Sequence, residues 1–333
     1  MNAELQVRKT IKAHNMIAEG DLVILGLSGG PDSLCLLHIL ADLRRSVSFE
    51  LRALHLNHMM RGDAAKEDAA FLSEECKALQ VPLTVDVCNV YKKAQEEGIS
   101  PEEAGRKARH SALQRQRANF FTFCGARKKG RVLIALAHNR DDQAETVLMR
   151  MLRGTGIHGL AGMEYVRDDG VIRPLLDTPR SEIEAYCEKK GLSPRFDSTN
   201  ADTYYTRNKL RLEVLPLLEK EFNPNLKDTL ARLAANARED DELLEKLAEQ
   251  ACADHAGSFP VRELAAMEPA LAKRVIRRMF ADVGLTEDIG AAHLSALLEA
   301  AHNRRTGKVI EFPHGYRAEV THDSVTFGLY SHK

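Results

Sequence analysis

Short apolar segments rich in β-branched residues alternate with longer, helix-forming segments through the first two thirds of the chain. The apolar segments span residues 22–27, 49–56, 82–87 and 131–137. Such an order predicts parallel strands, because each intervening helix carries the chain back along the sheet. We therefore expect an α/β fold, with a doubly wound, mainly parallel sheet and helices on both faces.

The alternation stops near residue 217. Residues 227–251 have the period of one long amphipathic helix, and residues 271–280 and 293–300 continue the helical pattern. The last segment alternates around two turns, as a small β-meander does. We predict two domains: an α/β domain of residues 1–216 and a smaller, mainly helical domain of residues 217–333 that ends in short β-strands.

Composition narrows the class of protein. The chain carries 47 basic and 48 acidic side chains, so a polyanion would have to bind through local patches. No apolar segment approaches the roughly 20 residues of a membrane-spanning helix, and the charged N-terminus is unlike a signal peptide, so we expect a cytoplasmic protein with no membrane partner. The six cysteines include no Cys-x-x-Cys pair, which disfavours a zinc or iron–sulfur site.

Residues 28–33, with the sequence Ser-Gly-Gly-Pro-Asp-Ser, connect the first predicted strand to a Leu-rich helix. Their backbone N–H groups can converge on a phosphate, since glycine permits close approach and the helix N-terminus is partly positive. The loop lacks the Gly-Lys-Ser/Thr of a Walker A motif. Two other interpretations stay open: a Gly-x-Ser-x-Gly nucleophile elbow at Gly26–Gly30, which hydrolases place after several strands, and a plain helix-capping turn.

A second polar cluster follows the fourth predicted strand. His138 ends that strand, and Asp141, Asp142 and Glu145 share one face of the next helix. Dipole complementarity alone favours acids at a helix N-terminus. These side chains, however, lie at the same end of the sheet as the 28–33 loop. One histidine and three acids at that end favour a site for Mg²⁺ or an ammonium group.

Four further segments carry signals of their own. Ser100-Pro101 and Thr178-Pro179 each place a capping residue before a proline, which predicts two helix starts. The glycine-rich residues 153–163 follow Arg150 and suit either a mobile loop beside a polyanion or a helix cap and turn. A polar cluster follows the second strand: His55, Asn57, His58 and Arg61.

These motifs resemble those of the N-type ATP pyrophosphatases, and among them the tRNA(Ile)-lysidine synthetase family. Residues 28–33 resemble its pyrophosphatase loop. Between residues 20 and 220 the resemblance continues in order through HLNHMMRG, EEAGRKARHSAL, HNRDDQAETVLMRMLRGTGIHGLAGM, RPLLDTPRSEIEAYCEKKGL and DSTNADTYYTRNKLRLEVLPLL. The helical domain resembles the family more loosely. His110 stands where the family usually has tyrosine.

The resemblance implies an ATP-dependent ligase that joins L-lysine to C2 of the wobble cytidine of tRNA(Ile) with a CAU anticodon. The reaction would pass through an adenylated cytidine and release AMP and pyrophosphate, with ATP and Mg²⁺ as cofactors. The oligomeric state stays open, a homodimer included. Residues 217–333 would contact the tRNA.

The resemblance also implies roles for individual residues. ATP would be bound by Ser28, Gly29, Gly30, Pro31, Asp32, Ser33, His55, Asn57 and Arg109. Catalytic roles fall to Asp32, Arg109, Asp141, Asp142 and Glu145. Metal binding falls to Asp32 and Asp142. Substrate binding falls to His138, Asp141, Glu145, Arg207 and Arg211.

Basic patches are available for a tRNA, although each pattern is also typical of a solvated helix face. The patches are residues 127–131, the pair Arg207 and Arg211, and the group Lys273, Arg274, Arg277 and Arg278. Three alternatives are weaker. A tRNA 2-thiocytidine synthetase would carry paired Cys-x-x-Cys motifs, an asparagine or GMP synthetase would carry a glutaminase domain, and a non-catalytic tRNA or nucleotide binder would not need the second cluster of acids.

Overall fold

The computed structural model describes residues 2–57, 63–124, 130–195 and 206–330. The chain forms two compact units, Met1–Ala235 and Asn236–Lys333. The division lies inside a long helix and not at the predicted boundary of 216. The reason is packing, since Leu226, Leu230 and Ala234 at the start of that helix belong to an apolar cluster of the first unit.

The first unit contains a five-stranded parallel sheet. Its strands are β1 (Leu22–Gly26), β2 (Glu50–Asn57), β3 (Leu83–Val87), β4 (Val132–Ala135) and β5 (Val171–Ile172), in the order β3-β2-β1-β4-β5. Every neighbouring pair is parallel. The four predicted strands are present, and the two-residue β5 was not predicted.

The strand order reverses between β1 and β4. From β1 the chain moves outward to β2 and β3, then returns to pair β4 with the other side of β1. The loops that leave the carboxyl ends of β1 and β4 therefore lie on either side of this reversal. In open α/β sheets this is the place where ligands bind.

Helices cover both faces of this sheet, as the sequence predicts. The helices of the first unit are α1 (Ala3–Ala13), α2 (Pro31–Leu43), α3 (Asp63–Ala78), α4 (Val90–Glu97), α5 (Pro101–Cys124), α6 (Arg140–Arg153), α7 (Ile157–Leu160), α8 (Arg180–Lys190), α9 (Thr206–Lys209) and α10 (Leu215–Glu221), with a π-helical turn at Leu210–Val214. Val23 and Leu25 pack with α1, α2 and α8. Leu22 and Ile24 on the opposite face pack with α5. The predicted fold class is thereby confirmed.

The second unit is mainly helical and ends in short strands, again as predicted. Its helices are the greater part of α11 (Leu226–Cys252), α12 (Val261–Ala266), α13 (Pro269–Asp282) and α14 (Ala291–His302). Its antiparallel sheet has the order β6-β9-β8-β7, formed by β6 (Ser258–Pro260), β7 (Lys308–Glu311), β8 (Tyr316–Val320) and β9 (Ser324–Leu329). The meander accounts for β7 to β9, and β6 was not predicted. In the described part of the chain, no helix has the length and apolar character needed to cross a membrane.

Candidate active site

The loop between β1 and α2 closes around the hydroxyl group of Ser33. Its Oγ accepts hydrogen bonds from the backbone N–H groups of Ser28 (3.2 Å) and Gly29 (3.1 Å), and it donates to the carbonyl of Gly30 (3.1 Å). Gly29 has a φ of 88°, which an L side chain rarely adopts. Two of the N–H groups that the sequence predicts to cradle a phosphate thus donate to Ser33 Oγ in this structure.

Asp32 lies in the first turn of α2, and both of its carboxylate oxygens accept hydrogen bonds. Oδ1 accepts from Asn139 Nδ2 at 2.9 Å, and Oδ2 accepts from Arg180 Nη1 at 2.6 Å. Burial raises the pKa of this carboxyl above its ordinary value, and the Arg180 guanidinium only partly opposes the shift. The two donors fix the direction in which the carboxylate points.

Asn139 begins α6 immediately beyond β4. The Asn139 side-chain Oδ1 accepts from the backbone N–H of Asp142 at 3.1 Å, and the backbone N–H of Asn139 donates to Asp142 Oδ2 at 3.0 Å. This reciprocal pair is a capping box. Because the same side chain also binds Asp32, it connects the two clusters that the sequence analysis identified separately.

Asp142 and Glu145 share an arginine partner. Arg207 donates from Nη2 to Asp142 Oδ1 at 3.0 Å and from Nε to Glu145 Oε2 at 3.1 Å. Arg211 Nε lies 3.5 Å from Glu145 Oε1. The Glu145 side chain is only 3% exposed, and burial, together with the nearby Asp142, raises its pKa. These four residues, all singled out from the sequence, form one cluster, which we call the acid–arginine cluster.

Asp141 points away from that cluster. Its Oδ1 accepts from the backbone N–H of Arg180 at 3.0 Å, and its Oδ2 pairs with Lys227 Nζ at 3.0 Å. The predicted cap at Thr178 is wrong, because α8 begins at Arg180 and the buried Thr178 hydroxyl has no hydrogen-bond partner among the described residues. Asp141 caps α8 in its place.

His138 is held as a neutral acceptor. Arg173 Nε donates to its Nδ1 at 3.4 Å. Burial, aided by the positive charges of Arg173, Arg207 and Arg109 and opposed by Asp142, lowers the pKa of His138 to about 4. Arg109 is exposed on α5, and its charge is among those that lower the pKa of His138.

Two of the predicted ATP-binding residues, His55 and Asn57, lie at the end of β2. His55 is buried, and its Nδ1 bonds the carbonyl of Leu27 at 2.9 Å, which requires the proton on Nδ1. Asn57 is half-buried, and its carbonyl accepts from Cys88. His58 and Arg61 of the same cluster lie outside the described residues, as do residues 127–129 of one basic patch.

The glycine-rich segment after α6 is tied to that helix. Gln143 accepts from the Met163 N–H at 2.7 Å and donates to its carbonyl at 3.2 Å. Arg150 Nη1 donates to the carbonyls of Gly159 (3.0 Å) and Gly162 (2.9 Å). Arg150 therefore bonds the segment's own backbone.

Sequence reasoning missed three residues of this site. Asn139 had a local signal, since an asparagine three residues before an aspartate at a helix start indicates a capping box. Arg173 and Arg180 had none, because each reaches the site only through the tertiary fold.

Asp32 and Asp142 would hold a Mg²⁺ ion only together with phosphate oxygens and water. Within the described residues, no group of three or more His, Cys, Asp or Glu side chains could hold a metal ion. Mg²⁺ is commonly bound by one or two carboxylates together with substrate phosphates and water. Both carboxylates accept a hydrogen bond from Asn139, which follows β4.

Comparison with known families defines the class of protein. Residues 2–218 match the PP-loop domain family, and residues 259–321 match the TilS substrate binding domain. The fold is similar to that of the U34-tRNA thiolase from Methanococcus maripaludis, with a TM-score of 0.55 at 20% identity, covering 70% of this chain and 77% of that one. The chain is thus a PP-loop protein, of a family that uses ATP.

Curated relatives define the family more closely. The chain is 37% identical to a tRNA(Ile)-lysidine synthase from Clostridioides difficile over 96% of its length and 69% of the relative's. It is 40% identical to one from Clostridium perfringens over 92% of its length and 64% of the relative's. The chain belongs to the tRNA(Ile)-lysidine synthase family, a family of ligases, as the sequence motifs predict. It spans about two thirds of the length of these relatives.

Proposed function

We propose that this chain joins L-lysine to C2 of the wobble cytidine of tRNA(Ile) with a CAU anticodon, using ATP. The reaction forms an adenylated cytidine and releases pyrophosphate, and attack by the lysine amine then releases AMP. One observation carries the proposal: the 28–33 loop and the acid–arginine cluster meet at the reversal of strand order between β1 and β4.

The 28–33 loop is suited to the first step, the attack of the cytosine O2 on the α-phosphate. Such a transfer needs positioned positive charge and hydrogen-bond donors more than a protein nucleophile. The N–H groups of Asp32 and Ser33 lie in the first turn of α2, where a helix supplies no carbonyl for them. Asp32 and Asp142 would hold Mg²⁺, which neutralises charge on the phosphates when it is bound. His55, Asn57 and Arg109 complete the proposed ATP site.

The acid–arginine cluster is suited to the second step. A lysine amine attacks only when it is deprotonated and aimed. Glu145 is buried and its pKa is raised, so it can accept a proton near neutral pH more readily than an exposed carboxylate. We assign the lysine amine to Glu145, with Arg207 and Arg211 as further substrate-binding residues beside it. Neutral His138 offers a nearby hydrogen-bond partner.

Asp141 has a different place in the proposal. It caps α8 and pairs with Lys227, so it supports Arg180, whose side chain binds Asp32. A direct role for Asp141 in lysine binding stays a prediction. The second unit, which contains the match to the substrate binding domain, is proposed to contact the tRNA.

One assay tests the whole proposal. The protein is incubated with ATP, Mg²⁺, labelled lysine and a tRNA(Ile) transcript with a CAU anticodon, beside a matched transcript whose wobble base is uridine. We expect stable label in the CAU transcript alone and equimolar release of pyrophosphate. Label in both transcripts, or ADP and phosphate as the only nucleotide products, would contradict the proposal.

A further inference from the structure

We propose that Asn139 is a positioning residue that holds Asp32 and Asp142 in one hydrogen-bonded unit and thereby directs Asp32 toward Mg²⁺-bound ATP. The inference rests on the ATP site of the proposed function. Asn139 lies in the segment HNRDDQAET, but the resemblance assigns it no role, so the argument depends on what its side chain contacts.

Asn139 uses both ends of its amide. Its oxygen accepts from the backbone N–H of Asp142, and its NH₂ group donates to Asp32 Oδ1. The orientation of the amide follows from these partners, because a backbone N–H can only donate and an ionised carboxylate can only accept. The residue is 1% exposed, so neither contact is readily replaced by water.

Capping α6 accounts for only half of these contacts. A helix N-cap needs a side-chain acceptor, and Ser, Asp and Asn provide it about equally well. The donor to Asp32 is an additional feature: an ionised aspartate has no donor, and the single hydroxyl of serine lies on Cβ, one bond short of the amide nitrogen. The Asn139–Asp32 hydrogen bond bridges two helix N-termini, those of α2 and α6, on either side of the reversal of strand order.

The bridge fixes Asp32 because the opposite oxygen is also held. Arg180 Nη1 binds Asp32 Oδ2, while the same guanidinium binds Glu184 Oε1 at 2.7 Å through Nε. With Asn139 in place, donors on both sides set the plane of the carboxylate. Without that donor, Asp32 can turn toward Arg180, which draws its charge away from the 28–33 loop and from Asp142.

The test compares Asn139→Ser with Asn2→Ser in the full chain. Asn2 is a matched control, since its Oδ1 caps α1 by accepting from the Glu4 N–H at 3.0 Å. Both serine variants keep a capping acceptor, but only Asn139→Ser loses an amide N–H that donates to a carboxylate. The melting temperature and the affinity for ATP, with and without Mg²⁺, are measured for each protein, together with pyrophosphate release.

We expect both variants to melt within about 3 °C of the parent. Asn139→Ser should bind ATP about tenfold or more weakly in Mg²⁺, the range for a lost hydrogen bond to a charged group, and Asn2→Ser should match the parent. An affinity of Asn139→Ser within twofold of a parent that binds ATP would overturn the positioning role alone. A parent that shows no Mg²⁺-dependent ATP binding would overturn the ATP site of the proposed function and this inference with it.

Discussion

Both units contain arginine–carboxylate pairs on packed helices, but the pairs have different surroundings. In the first unit the acid–arginine cluster lies where a strand ends and α6 begins. In the second unit, Arg274 of α13 binds Asp241 of α11 at 2.5 Å, and Arg278 binds Glu249 at 2.9 Å. The second set joins two helices along their length, whereas the first set gathers at the end of one.

The two sets differ in how their surroundings affect the ionised form of the carboxylate. Burial and a neighbouring carboxylate raise the pKa of Glu145, so its ionised form is disfavoured by its surroundings. Groups kept in such an unfavourable state cluster at functional sites. In the second unit, Arg274 and Arg278 belong to a patch that the sequence predicts to contact tRNA. Both side chains form ion pairs with acids of α11.

The largest expected effect is on Glu145→Gln. Loss of a carboxylate that binds the lysine amine should slow lysine transfer about 30- to 1000-fold, or about 2–4 kcal/mol. Glu245→Gln is the control, since Glu245 pairs with Arg274 in the second unit. Transfer rates are measured at saturating ATP. A Glu145→Gln rate within threefold of the parent would remove the distinction between the two sets of pairs.

Arg274→Met should reduce stability and not chemistry. The Asp241 and Arg274 side chains are 9% and 13% exposed, so removing the guanidinium leaves a nearly buried carboxylate without this partner. We expect a loss of about 2–4 kcal/mol in the free energy of unfolding of the second unit. Denaturant unfolding measures it, while Mg²⁺-dependent ATP binding should be unchanged. An unchanged midpoint would show that the pair adds no stability.

The raised pKa of Glu145 predicts a pH dependence of stability. Between the ordinary pKa of glutamate and the raised folded value, the folded state binds more protons than the unfolded state, so stability falls as pH rises. Below that window the penalty is absent, and above it the penalty is complete. Unfolding of the parent and of Glu145→Gln is compared across the window. The parent should lose stability relative to the variant, and parallel curves would contradict the assignment.

Much of the fold could be predicted because its signals are local. The four longer strands of the sheet and the long helix α11 each carry a period that their own residues define. The strands β5 and β6 are two and three residues long, too short for any alternation to be visible. The domain boundary also depends on distant packing, since α11 begins against the apolar side of α6.

The candidate site divides in the same way. The 28–33 loop and the acids of α6 are continuous in sequence, so their chemistry can be recognised. Arg180 reaches Asp32 across 148 positions, and no local pattern indicates it. The spacing of the acids placed Asp141 with Asp142 and Glu145, but the N-terminus of α8 and Lys227 bind Asp141 on another side.

This separation of neighbours predicts a small effect for Asp141→Asn. An asparagine keeps the oxygen that caps α8 and loses only the charge opposite Lys227, whose side chain is 33% exposed. Partly exposed pairs contribute about 0.2–1 kcal/mol, so we expect lysine transfer to fall by less than about fivefold. Asp142→Asn, one residue away, is the control and should fall about 30-fold or more. Equal losses in both variants would place Asp141 in the lysine site after all.

The smallest effect is expected for Arg278→Ala. The Arg278–Glu249 and Arg274–Asp241 pairs join the same two helices but differ in the exposure of their side chains. Glu249 is 64% exposed and Arg278 itself is 37% exposed, so water solvates both charges before and after the change. Such pairs contribute about 0–1 kcal/mol, and salt screens them further. The free energy of unfolding of Arg278→Ala should therefore match that of the parent within about 0.5 kcal/mol, a much smaller change than in Arg274→Met.

If the variant weakens tRNA binding without a change in stability, Arg278 contributes to RNA contact in spite of its ion pair, and this result would support the predicted patch on α13. If it loses as much stability as Arg274→Met, burial is not what separates the two pairs.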